Sequence, residues 1–112
     1  MSNLITFDDF QKLDIRTGTI IEVNDFLKAI KPSYQLTIDF GPLGIKKSSA
    51  QITHLYSKKE LLHKQIIAVV NFDVKQIANF KSECLVLGVA NERDEIILLK
   101  SEKLSINGTQ IT

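Results

Sequence analysis

Apolar residues in this chain recur mostly at every second position and in short runs. Tyr34, Leu36, Ile38 and Phe40 alternate with Gln35, Thr37 and Asp39, the period of a strand with one face buried. The alternation stops at Gly41-Pro42-Leu43-Gly44, a turn signal. Residues 15–23, rich in Ile, Thr and Val, predict a second strand. Shorter apolar runs at 66–72, 84–89 and 95–99 predict three more, each buried. Gly18 inside the strand at 15–23 predicts a bulge or tight coil, the device that lets a small sheet close on itself.

Helical signals are confined to two places. Thr6 is set to cap a helix over about residues 7–13 whose first turn carries Asp8 and Asp9, with Phe7, Phe10 and Leu13 on nearly one face. Ser57 and Glu60 have the capping-box spacing, so each satisfies the other's free amide before Leu61 and Leu62 pack inward. Five or six short strands with one helix after the third is the order of an all-β, five-stranded OB-fold barrel, whose open face commonly binds oligonucleotides. An SH3-like barrel is the alternative.

With 112 residues, 44% of them hydrophobic, the chain predicts one domain with its own modest core. The expected division is the helix, a barrel over about 14–100 and a C-terminal extension over 101–112. There is no basic stretch leading into an apolar one at the N-terminus, and no apolar run approaches the ~18 residues of a membrane span. The expectation is a cytoplasmic protein without membrane insertion. Cys84 is the one cysteine and lies in the run Cys84-Leu85-Val86-Leu87, where it reads as a small buried hydrophobe.

Charge adds what the total of +1 conceals. Residues 1–45 hold four Lys/Arg and six Asp/Glu, residues 46–81 seven and two, and residues 82–112 three and five. A segment of net +5 thus sits between two of −2, a distribution that favours a polyanionic partner, nucleic acid first. Lys58, Lys59 and Lys64 read as the solvated side of the short helix. Lys46, Lys47 and Lys81 are the stronger candidates, because Lys46-Lys47-Ser48-Ser49-Ala50-Gln51-Ile52-Thr53 sets cations, hydroxyls and an amide along one strand edge. That is chemistry for holding a ligand.

Catalysis finds no support in the residues. His54 and His63 have no Cys or acidic partners at zinc spacing. Gly41-Pro42-Leu43-Gly44 lacks the Lys-Ser/Thr of a phosphate loop, there is no nucleophile elbow, and Asp8, Asp9 and Asp14 are accounted for by helix capping. No enzyme activity, metal or cofactor is expected.

Four segments in order carry a family resemblance: Asp14-Ile15-Arg16-Thr17-Gly18, Lys47-Ser48-Ser49-Ala50-Gln51-Ile52-Thr53, Ala68-Val69-Val70-Asn71-Phe72, and Phe80-Lys81-Ser82-Glu83 before Leu85-Val86-Leu87-Gly88. Together they resemble the tRNA-binding OB domain appended to some aminoacyl-tRNA synthetases. With Phe7-Asp8-Asp9-Phe10 at the start and Asn107-Gly108-Thr109 near the end, the chain is more similar still to the free-standing CsaA-type export-related chaperones. The resemblance implies an OB barrel with an added N-terminal helix, a homodimer, and binding of unfolded or exported polypeptides, with tRNA as the alternative ligand. Two departures from the family pattern are Asn79, where Gly often supplies a positive φ, and Asp73-Val74-Lys75-Gln76, less basic than in many relatives.

By the same resemblance Arg16, Ser49, Asn71, Lys81 and Ser82 form the polar nucleus of the binding face, with Lys46, Lys47, Ser48 and Gln51 beside them. Lys offers a point charge and Arg a planar fork, while Ser, Asn and Gln add hydrogen bonds to sugar, base or peptide. Asn71 serves equally well as a partner for buried backbone. Phe80, between Asn79 and Lys81 in an expected loop, is the surface aromatic, whereas Phe72 is expected in the core. A dimer interface is expected from Phe7, Phe10, Leu13, Leu104, Ile106 and Ile111, more apolar surface than a small barrel covers. The alternative is that both termini fold back on their own barrel.

Overall fold

The computed structural model describes residues 3–112. Five antiparallel strands form the main sheet: β1 (Ile15–Asp25), β2 (Tyr34–Asp39), β3 (Ile45–Ala50), β4 (Gln65–Val69) and β7 (Leu85–Val86), in the spatial order β3-β2-β1-β4-β7. Two hairpins decorate it, β5 (Lys75–Ile77) with β6 (Phe80–Ser82) and β8 (Gly88–Ala90) with β9 (Ile96–Leu98). Helix α1 (Phe7–Gln11) precedes the barrel, and α2 (Lys58–Leu61) lies between β3 and β4. This order, with its helix after the third strand, is the OB arrangement.

Strand β2 shows why the period-two reading works. Tyr34, Leu36 and Ile38 are buried and the residues between them are not, so one face of the pleat meets the core. That core joins Ile20, Leu36, Ile38, Phe40, Leu61 and Ile66, all fully buried, with Ile52, Ala68 and Cys84 around them. Gly18 has a different job from the one expected. A Cβ there would stand 2.7 Å from the Phe40 ring, so the missing side chain makes room for Phe40. The bulge lies between Ile20 and Glu22, where the pairing with β2 slips by one residue.

Both capping boxes form. Thr6 Oγ1 accepts from Asp9 N–H at 3.1 Å and Asp9 accepts from Thr6 N–H. That backbone bond holds the Asp9 carboxyl below its usual range. Ser57 and Glu60 repeat the pattern at α2. Each helix is about one turn long, and only Leu61 of α2 is buried. Leu62, expected to pack inward, is 41% exposed, since its φ/ψ of −60/127 has already left the helix.

The barrel closes between β3 and the chain entering β7. Glu83 N–H donates to Lys47 C=O, Lys47 N–H to Glu83 Oε1, and Ser49 N–H to Ser82 Oγ. The Ser48 hydroxyl, buried, donates to Cys84 C=O at 2.8 Å. The closure is therefore a zipper of side chain to backbone bonds with a single ladder-like bond in it.

Residues 101–112 return along the outer side of β1 and β4. Thr17 N–H donates to Thr109 C=O, Gly108 N–H to Thr17 C=O and Ile111 N–H to Ile15 C=O. The Gln65 side chain, 9% exposed, grips Ser105 from both sides of its amide. The backbone of this segment is fixed, yet Leu104 and Ile106 stay 88% and 83% exposed.

Candidate binding groove

Beyond the zipper, β3 and β7 diverge and leave a groove of about 540 Å³. One wall is the end of β3 and its continuation, Ser49 to Ile52. The other is the chain from Cys84 to Gly88. Lys75, Ile77 and Ser82 of the β5–β6 hairpin also line it, and Ile96 and Leu98 of β9 supply further apolar surface. A smaller pocket of about 180 Å³, between Phe72, Asp73 and Leu85, adjoins it through Lys75, Ser82 and Cys84. Apolar walls with a few polar groups at the rim describe a site that takes up apolar groups while orienting them by hydrogen bonds.

Several expected residues meet here. Ser49, Gln51 and Ser82 line the groove, and the Ser49–Ser82 bond of 3.2 Å ties its two sides. Lys81 is exposed on β6, across from Gln76. Lys47 is exposed, and Lys46 is half-buried. The two lysines share one strand but leave it on opposite sides: Lys46 has the parity of inward-facing Ser48, Lys47 that of Ser49. They do not add into one patch. Among the described residues none of Lys46, Lys47, Lys75 and Lys81 has an ion-pair partner, whereas Lys58 pairs with Asp25 at 2.9 Å and Lys64 lies over the Tyr56 ring.

Other expected residues are committed elsewhere. Arg16 Nε donates to Asp14 Oδ1 at 2.6 Å and its Nη1 to Gly108 C=O at 3.0 Å, so the guanidinium fork is spent on holding the C-terminal segment. Asn71 accepts from Asp14 N–H and donates to Lys12 C=O, clamping the α1–β1 connection. Ser48 is consumed in the zipper. The two aromatics exchange places. Phe80 is buried against Phe26, ring centroids 5.3 Å apart, while Phe72 is 53% exposed. The cause is the β5–β6 hairpin, absent from the reading of the sequence, which turns Phe80 inward and ends β4 before Phe72.

That hairpin was detectable. Lys75-Gln76-Ile77 and Phe80-Lys81-Ser82 flank a two-residue turn, Ala78-Asn79, the shortest hairpin connection. Within it Ala78 has φ 52°; Asn79 is not among the residues of positive φ, so the left-handed position falls one residue earlier than expected. Groove residues that the sequence did not single out for binding include Lys75, Leu85, Val86, Ile96 and Leu98.

Of the expected interface residues, Phe7, Leu13, Leu104 and Ile106 are exposed, and Phe10 and Ile111 partly covered. The C-terminal segment folds back through backbone bonds and the end of α1 is held by the Asn71 side chain, yet Phe7, Leu13, Leu104 and Ile106 stay outside.

Burial pushes the Cys84 thiol up to about 11, so the sulfur at the groove floor is an uncharged apolar group at neutral pH. Among the described residues no group of three His, Cys, Asp or Glu is arranged to hold a metal ion. No helix among them is long and apolar enough to cross a membrane.

Comparison with known proteins agrees with this geometry. The crystal structure of the CsaA chaperone protein from Picrophilus torridus superposes with a TM-score of 0.91 at 55% identity, covering 97% of this chain and all of that one. The chaperone CsaA of Bacillus anthracis gives 0.92 at 46% identity over 98% and 100%. A methionine-tRNA ligase of Methanococcoides burtonii is 34% identical over 109 residues, which are 97% of this chain and 16% of the ligase. The chain thus spans about a sixth of that enzyme's length. The family described as putative tRNA binding domain matches residues 15–110, from the first residue of β1 to the bridge that Gln110 makes with Arg16. By that match, and by the barrel that carries it, the chain belongs to the putative tRNA binding domain family.

Proposed function

We propose that this protein is an export-related chaperone of the CsaA type, which binds unfolded or secretory polypeptides as a homodimer in the cytoplasm and performs no covalent chemistry. The observation that carries this reading is the groove between β3 and β7. Ile52, Leu85, Val86, Ile96 and Leu98 give it apolar lining, and Ser49, Gln51 and Ser82 add polar atoms to the same walls. Such a site takes apolar side chains of many shapes and offers little to a single fixed ligand. Full-length likeness to two chaperone structures supports it. For the dimer, Phe7, Leu104 and Ile106 stand 68%, 88% and 83% exposed, the latter two on a backbone held in place. Large exposed apolar groups on fixed backbone are what a two-fold interface buries.

A specific observation also favours tRNA as a ligand. Lys75 and Lys81 are exposed on the same hairpin beside the groove, without acidic partners among the described residues. Exposed unpaired lysines bind phosphate by releasing counterions, with log affinity falling by about 0.7 to 0.9 per phosphate for each tenfold rise in salt.

The two readings separate in one set of measurements. Near-stoichiometric protein is expected to suppress aggregation of unfolded clients in a salt-insensitive way, and Leu85→Glu to weaken this at least severalfold. Absence of protection across several clients overturns the chaperone reading. Lys75→Glu with Lys81→Glu is expected to remove salt-sensitive tRNA binding and leave sedimentation unchanged; undiminished tRNA affinity in that variant overturns the tRNA reading.

A further inference from the structure

The chain from Leu85 to Ala90 is an open sheet edge. On one side its hydrogen bonds are satisfied: Leu87 N–H donates to Ile67 C=O of β4, Leu99 N–H to Leu87 C=O, and Asn91 N–H to Glu95 C=O. In an antiparallel ladder hydrogen-bonded pairs alternate with non-bonded ones. The bonded positions are therefore 85, 87, 89 and 91. The N–H and C=O groups of Val86, Gly88 and Ala90 point the other way, toward the groove.

Nothing blunts this edge. Leu85-Val86-Leu87-Gly88-Val89-Ala90 contains no charge and no proline, whereas edge strands ordinarily carry such groups to prevent pairing with other chains. Leu85 and Val89 are 48% and 51% exposed, and Gly88 and Ala90 are exposed as well. Gly88 also allows β9 to press close, because a Cβ there would lie 2.5 Å from Ile96 Cγ2. An unguarded apolar edge beside an apolar groove is an aggregation hazard unless a ligand uses it.

We propose that a client polypeptide adds to the barrel as an extended strand, its main chain paired with the outward groups of Val86, Gly88 and Ala90 and alternate side chains in the groove. The inference rests on the polypeptide-binding reading and deepens it by stating what is recognised: backbone in β conformation with apolar side chains on one face, independent of their identity. Strand direction follows from the topology. The sequence of antiparallel pairings from β3 through β2, β1 and β4 to β7 makes β3 and β7 parallel to each other. A strand between them has the same sense relative to both, and antiparallel to both is the more stable pairing. Six residues of edge correspond to about 20 Å of extended chain.

The test uses a capped eight-residue peptide alternating Val and Ser, and two copies of it N-methylated at alternate residues, one copy for each set of main-chain N–H groups. Fluorescence anisotropy reads affinity, and hydrogen exchange reads the protein amides. Binding of the parent peptide is expected to slow exchange at Val86, Gly88 and Ala90 at least tenfold, and N-methylation on the paired set to weaken binding at least tenfold. Val86→Pro removes one outward N–H and no ladder bond, a placement proline tolerates on an edge; it is expected to lose binding to the same extent. If the parent peptide binds but neither N-methylated copy nor Val86→Pro weakens it, strand addition is overturned and the polypeptide reading stands. If the parent peptide does not bind, both fall. If the three amides are already protected without peptide, in a concentration-dependent way, a second copy of the chain occupies the edge and the proposal fails. Should Val86→Pro not fold, the N-methylated peptides and the amide protection decide.

Discussion

Gln65 is the single side chain on which the C-terminal segment most depends, and Gln65→Leu measures that dependence. In β4 it is 9% exposed. Its Nε2 donates to Ser105 C=O at 2.6 Å and to Asn107 Oδ1 at 3.1 Å, and its Oε1 accepts from Ser105 N–H at 3.1 Å. Leucine keeps the volume and deletes these three bonds together with a longer one of 3.5 Å that Ser101 Oγ donates to Gln65 Oε1. Each neutral bond contributes roughly 1 kcal/mol net, but Ser105 is only partly buried, so water can replace part of the loss. The expected destabilisation is about 2 kcal/mol by urea unfolding, which for a chain of this length lowers Tm by about 8 °C. Hydrogen exchange locates the effect: the Ser105 and Gly108 amides speed up more than those of the β1–β2 pairing, because the segment lifts before the barrel opens. In the dimer reading, sedimentation shifts toward monomer at the same time, since Leu104 and Ile106 lose their fixed backbone. A change under 0.5 kcal/mol, with Ser105 exchange unaltered, refutes the tether.

Two further outcomes follow from single residues. Ala78 occupies the left-handed region with φ 52°, at a cost of about 1 to 2 kcal/mol for an L-residue. Glycine removes that cost and adds about 0.5 to 1 kcal/mol of unfolded-state entropy. Ala78→Gly is thus expected to raise stability by about 0.5 to 1 kcal/mol in thermal or urea unfolding, and a loss of stability contradicts the assignment. Cys84 sets an alkaline limit. Its thiol ionises near its ordinary value of 9.0 when unfolded and about 11 when folded, so the stability present below pH 9 declines as pH rises toward 11. At about 1.4 kcal/mol per pH unit the loss reaches at most about 3 kcal/mol. The difference in unfolding free energy between wild type and Cys84→Ala is expected to change by about 2 kcal/mol between pH 8 and 11; a pH-independent difference contradicts it.

What was legible in the sequence is what local pattern controls. The alternation at Tyr34, Leu36, Ile38 and Phe40 emerged as β2 and a buried phenylalanine. Thr6 and Ser57 cap helices because the reciprocal bonds span only three residues. Ser49 and Ser82, 33 residues apart, were brought together in the reading by resemblance and are brought together in the barrel by a hydrogen bond. Failures concentrate where a side chain's partner lies far along the chain. Gly18 reads as a bulge until Phe40 is seen against it, and Arg16 reads as a free cation until Asp14 and Gly108 take its donors.

The sequence by itself determined the barrel: strand periods, capping residues and turn signals act over a few neighbours, and they agree with one another. Only the tertiary structure decided which polar and aromatic groups are available to a ligand. Phe72 and Phe80 are equally aromatic in sequence, and a three-residue hairpin strand determines that one is exposed and the other packed on Phe26. The groove likewise exists because β3 and β7 part company after the Ser48 and Ser49 zipper. It is a property of two strand edges that meet 36 residues apart, and no local pattern encodes a distance.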